Sequence, residues 1–189
     1  MNLARYLTGC IRAIGRHEDW PDYLNLTRRG LHESFLALAL TLPGYYIGMR
    51  AIVSHNAGEN AEGVMLPLGV FAAIVIVYML TFSACAYILS MIFDRQDRFR
   101  PWVIIRHWSV FFGVLFAALF FGLYLMGLMP FAVALGVAFL VFIGSLAVDI
   151  RLAQKIVGFD WMGAVYTGCI IAAMGISVIG TGVIQMTAG

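Results

Sequence analysis

The chain has 189 residues, of which 62% are hydrophobic and 12% charged, with a net charge of +2 and a mean hydropathy of +0.90. A soluble domain carries about 25% charged residues, so this composition excludes an ordinary soluble enzyme, a disordered tail and a disulfide-stapled secreted domain. It fits a polytopic membrane protein.

The first 30 residues form a separate N-terminal segment. Leu3, Tyr6, Leu7, Cys10, Ile11 and Ile14 recur at helical spacing, with Arg5, Thr8, Arg12 and Arg16 on the opposite face. Such an amphipathic helix lies in the membrane interface with arginines near anionic headgroups, or docks on a partner or on the protein's own cytoplasmic face. Both uses stay open. Gly15 to Pro21 reads as a break, and Thr27 as the cap of a helix entering the first span. No apolar stretch with a small-residue cleavage site precedes that span, so no cleavable signal is expected.

A helix needs roughly 20 apolar residues to cross a bilayer. Stretches without Asp, Glu, Lys or Arg define five spans, at about 31–53, 64–93, 102–127, 130–149 and 161–186, within a membrane domain of residues 31–189. The third and fourth are divided at Gly127-Leu128-Met129-Pro130, where Pro130 suits the first turn of a new helix. Pro43-Gly44 predicts a kink in the first span. The runs are unbroken and twice the length of barrel strands, so helices are expected, not a β-barrel.

Arg5, Arg12, Arg16, Arg28, Arg29, Arg95, Arg98, Arg100, Arg106, Arg151 and Lys155 fall on alternate sides that coincide, against Arg50 alone on the other. Short basic loops stay in the cytoplasm. The N-terminus is therefore expected inside and the C-terminus outside the cell inner membrane. Trp20, Trp102, Trp108 and Trp161 fall at inner flanks, as belt residues do, and Tyr45, Tyr46 and Tyr124 near outer ends. Core packing would give the same pattern.

No charge falls at a span centre. Arg106, near the inner end of the third span, is expected to snorkel to the headgroups, with His107 beside it as an interface anchor. Lipid-headgroup contacts are thus expected from Arg5, Arg12, Arg16, Arg98, Arg100 and Arg106. Asp149 and Arg151 cap the fourth span and pair with each other or with the Arg-rich second loop. In the outer loop, His55, Glu59 and Glu62 match no metal spacing. Cys10, Cys85 and Cys169 read as buried apolar side chains. There is no phosphate-binding loop, no His-Glu-x-x-His and no nucleophile elbow. Ser83, Ser90, Ser145 and Ser177 lie in spans with no His expected to activate them. No catalytic, metal or cofactor site is therefore expected. Expected partners are membrane lipids and a membrane-protein complex or a second copy, with no nucleic acid. In the fifth span Ala164, Gly168, Ala172 and Gly180 form a small-residue row, with further pairs at Gly113 and Ala117, Ala118 and Gly122, and Ala134 and Ala138. These serve packing within the bundle or between subunits.

The layout resembles that of the Yip1-like membrane proteins: an N-terminal cytoplasmic segment, five close spans and a short outer C-terminal end. The stretches Thr27-Arg28-Arg29-Gly30-Leu31-His32-Glu33-Ser34-Phe35-Leu36-Ala37-Leu38 and Arg98-Phe99-Arg100-Pro101-Trp102-Val103-Ile104-Ile105-Arg106-His107-Trp108 resemble small bacterial inner-membrane members of that group. The Asp-Leu-Tyr-Gly-Pro motif of eukaryotic relatives is absent, and no functional residue is carried over. The resemblance implies a non-enzymatic scaffold or membrane-organising protein. The alternatives are a small permease with a site near Pro43-Gly44, Thr41, Ser83 and Tyr87, and a lipid-modifying enzyme using Arg106 and His107.

Overall fold

The structure, a computed structural model, describes residues 2–15, 17–57 and 68–188, with side chains as far as residue 178. Helices α1 (Leu3–Ile14), α2 (Arg28–Ala39), α3 (Leu42–Ala57), α4 (Leu68–Ile92), α5 (Gln96–Leu125), α6 (Phe131–Leu152) and α7 (Trp161–Ala188) account for most of it, and no strand occurs among the described residues. Five stretches are long and apolar enough to cross a membrane: Arg28–Asn56, Leu68–Ile92, Gln96–Leu125, Phe131–Val157 and Trp161–Val178. Their outward faces carry Leu80, Ile88, Leu119, Phe139, Leu140 and Ile170, about half exposed, as helices solvated by lipid require.

The first span is broken. α2 ends at Ala39 and α3 begins at Leu42. Pro43 has no N–H to continue the ladder, and the Thr41 hydroxyl turns back to the Leu38 carbonyl at 2.5 Å. Beyond the break, Gly44 lets α3 approach α5. A Cβ there would stand 2.8 Å from Val114 Cγ1.

Capping sets the other boundaries. Asn25 Oδ1 accepts from the Thr27 hydroxyl at 2.7 Å, and Thr27 Oγ1 accepts from Gly30 N at 3.4 Å. This tight turn leaves no room at Gly30, where a Cβ would fall 1.7 Å from the Asn25 carbonyl oxygen. Gly30→Ala is therefore expected to force the 25–30 turn open, at about 2–3 kcal/mol. A fall in the melting temperature in detergent checks this, and an unchanged one would count against the turn geometry.

α5 ends in a Schellman turn, with Leu128 N donating to Leu123 O and Gly127 at φ +74°. Pro130 is the residue before α6, one position outside the helical turn the sequence suggested for it. At its other end α6 runs into a π-helical turn, Ala153–Val157, closed by Gly158 at φ +83°.

The core sits at the Arg-rich end. Trp102, Val103, Ile104, Ile105, Arg106, His107 and Trp108 are consecutive and all buried. A helix apolar all round must be surrounded, and here α1, α2, α4, α6 and the π turn surround it. Trp102 and Trp108 are thus core residues and not belt residues, whereas Trp161 is exposed.

α1 docks on this core. Tyr6, Gly9, Cys10 and Ala13 face inward, while Leu3, Leu7 and Ile11 from the expected apolar face point away. The Tyr6 ring stacks on Trp108 with centroids 4.3 Å apart. Lys155 Nζ donates to the carbonyls of Arg12, Gly15 and His17, and Arg151 Nε to that of Ile14. Two cations from the α6 terminus thus cap the carbonyl end of α1, where positive charge is favoured.

Candidate functional site: a buried ion pair beside an apolar cavity

Arg106 of α5 faces Asp149 of α6. The guanidinium meets the carboxylate with two N–H groups: Nη2 donates to Oδ2 at 3.0 Å and Nε donates to Oδ1. The side chains are 7% and 4% exposed. This fork geometry is the strongest pairing the two groups can make. The Phe82 ring lies 5.2 Å from the guanidinium carbon. Arg106 stands about 28 Å from Leu125 and Asp149 about 27 Å from Phe131, at 1.5 Å per residue. Both therefore lie at one depth, close to one edge of a hydrocarbon layer roughly 30 Å thick. Arg106 does not reach outward as a headgroup anchor. The partner that holds it is the carboxylate one helix away.

His107 points the other way and joins three helices. Its Nδ1 is 3.0 Å from Ser34 Oγ of α2, and its Nε2 is 2.9 Å from Ser83 Oγ of α4. The Ser34 hydroxyl already donates to the Leu31 carbonyl at 2.8 Å. Nδ1–H then donates to Ser34, and in the neutral ring Ser83 donates to Nε2. Phe35 packs edge-on against the ring at 4.7 Å. The expectation that no His stands beside an intramembrane serine is thus overturned, because three separate spans converge there. Neither Ser34 nor Ser83 lines either of the two cavities beside the ion pair. Ser83 and His107 meet as a nucleophile and base would, but without an approach for a substrate from those cavities.

The two cavities flank Arg106. One holds about 90 Å³ between α4, α5, α6 and α7 and touches Asp149, His107 and Ser145. The other holds about 610 Å³ between α3, α4, α5 and α6, with α1 at its base. Its wall is mainly apolar. Gly44, Gly48, Gly113, Ala117 and Ala138 give it room, and Tyr45, Tyr78, Ser109 and Ser145 join Arg106 as its polar members. Of the groups expected at a permease site, only Gly44 reaches this wall. Thr41 bonds to its own helix, Ser83 to His107, and Tyr87 is half-exposed against Phe99.

The other expected contacts disperse. Arg5 reaches the Asp22 carbonyl, Arg12 pairs with Asp19 and lies over the Tyr23 ring, and Arg98 pairs with Asp97. Arg100 is half-buried. Arg16 lies outside the described residues. Arg151 turns to α1 and Gln154, not to Asp149. Ala164 is fully buried, a Cβ on Gly168 would sit 2.6 Å from Ile150 Cγ1, and Ala172 lines the smaller cavity. That row therefore faces α6 and the interior, and the side of Gly180 lies outside the described residues. His55 stacks on Phe131 at 3.9 Å. Glu59 and Glu62 lie outside the described residues, among which no cluster of three metal-ligating groups occurs.

Two groups of α1 show how dry the docked face is. Burial, then the adjoining Glu33 carboxylate, pushes the Tyr6 hydroxyl up to about 12, and it donates to Glu33 at 2.9 Å. Burial pushes the Cys10 thiol up to about 12 as well, so it stays protonated and unreactive.

By length and composition this is a multi-pass helical membrane protein, and it carries a buried ion pair. Against family models, curated proteins and solved structures, the chain finds no match.

Proposed function

We propose that this is a non-enzymatic protein of a bacterial inner membrane that scaffolds or organises its surroundings, in the manner the Yip1-like layout implies. One observation carries the reading. Among the described residues, the titratable groups at the heart of the bundle are tied to neighbouring helices: Arg106 to Asp149, and His107 to Ser34 and Ser83. The ties join α2, α4, α5 and α6 into a fixed frame whose outer faces are apolar. A frame held this way presents surfaces to neighbours.

The N-terminus is cytoplasmic in this reading and the C-terminus lies outside, from the placement of eleven of the twelve Lys and Arg. α1 lies at the inner interface, with Leu3 toward lipid. The small bundle makes the neighbour a membrane protein or a second copy. A C-terminal reporter fusion should be active only outside the cytoplasm, and the protein extracted in native nanodiscs should run as a complex with a fixed partner or as an oligomer. A cytoplasmic C-terminus would reverse the topology, and a lone monomer would end the scaffold reading.

A further inference from the structure

The cavity of about 610 Å³ lies beside α5 from Arg106 to Phe121 and beside α6 from Val148 to Leu135. Along α5 that is about 22 Å at 1.5 Å per residue. One leaflet of a hydrocarbon core about 30 Å thick measures about 15 Å. The space is therefore longer than one leaflet and has length to spare for an extended acyl chain. Its volume falls in the range of small-molecule pockets, about 300–1,000 Å³.

Away from Arg106, Tyr45, Tyr78, Ser109 and Ser145 the wall is apolar, and water is a poor occupant there. Apolar cavities stay dry, and an empty one of this size forfeits the contacts of every lining atom. α3 packs mainly on α5, and its contact with α4 runs through side chains such as Tyr45 on Tyr78 and Tyr46 on Phe71. The one strongly polar feature sits at the base. Asp149 engages Nε and Nη2 of Arg106. A guanidinium carries five N–H donors, and Nη1 has no acceptor among the hydrogen bonds of the described residues. Arg106 lines the cavity, so a donor that Asp149 leaves free there can be met by an acceptor from whatever fills the space. Its depth is the edge of the hydrocarbon, where the ester oxygens of a bilayer lipid lie. Because Asp149 already balances the guanidinium charge, a neutral acceptor suits the base better than a second anion.

We infer that the cavity binds one acyl chain of a bilayer glycerolipid, with an ester carbonyl accepting from Arg106 Nη1 and the tail running along Gly113, Ala117 and Ala138. The site is independent of the scaffold reading, since a protein that organises nothing can still hold a lipid.

The test fills the cavity. Ala117→Phe and Ala138→Leu place new carbons in the space the tail needs, from two different helices. Wild type and both variants are stripped with detergent, then examined by native mass spectrometry and by titration with vesicles of brominated phosphatidylglycerol or phosphatidylethanolamine, read through tryptophan quenching. Wild type is expected to retain about one glycerolipid per chain. Retention and tight-phase quenching should fall about tenfold in whichever variants remain monodisperse. Equal lipid in wild type and either folded variant would leave only annular lipid and overturn the site. Retention of a quinone or another isoprenoid, and not a glycerolipid, would overturn the acyl assignment. If both variants lose their fold, the wild-type stoichiometry decides: no retained glycerolipid overturns the proposal.

Discussion

Asp149→Ala should destabilise the bundle by about 3–5 kcal/mol, the cost of stranding a buried cation. The guanidinium of Arg106 is 7% exposed and has the Phe82 ring at its side. Without the carboxylate it must either drag water into the bundle or tear α5 away from α6. Arg106→Met leaves Asp149 in the same position and should cost a similar amount. The informative variant is Arg106→Met with Asp149→Leu. Apolar replacement of a whole buried pair is often neutral or stabilising, so the double variant should recover most of the loss. Thermal unfolding in detergent, followed by tryptophan fluorescence, measures all three. Additive losses in the double variant would show that the two residues do not act as a pair.

Gly168→Leu should separate α7 from α6 and cost about 3 kcal/mol or more. The Cβ alone meets Ile150 Cγ1 at 2.6 Å and Leu146 Cδ1 at 3.4 Å. The remaining carbons have no room in a packed helical interface, where overpacking typically costs about 1–3 kcal/mol and sometimes more. Close approach over small residues holds membrane helices together where the hydrophobic effect cannot. Because this row faces α6 of the same chain, the variant should unfold at a lower temperature without a change in subunit number. A change in oligomer size at unchanged stability would place the row at a subunit interface.

The five membrane-crossing helices were legible because their signal is an unbroken apolar run, which depends on nothing distant. The break at Thr41–Pro43 was legible for the same local reason, as proline removes its own hydrogen bond. The buried pair was not. Arg106 and Asp149 stand 43 positions apart, and each sits near the inner end of its apolar run, where a lone charge reads as an anchor or a cap. The signal available was their equal distance from the outer helix ends, about 27–28 Å in both, which puts two opposite charges at one depth. His107 was misread in a similar way: its partners Ser34 and Ser83 belong to two other spans, and no spacing rule links three helices. The tryptophans show the limit of compositional rules. Trp102 and Trp108 stand where a belt residue would, yet α1 covers that end, and they become core.

The clasp on α1 has a consequence for synthesis. α1 is fastened by Lys155 and Arg151, which leave the ribosome more than 130 residues after it. At about 5–20 residues per second, α1 waits on the order of ten seconds before its anchor exists. The stripe of Tyr6, Cys10 and Ala13 can pack on Ile105 and Trp108 once the third span is in place, but the clasp on its carbonyl end closes only after the fourth span has emerged.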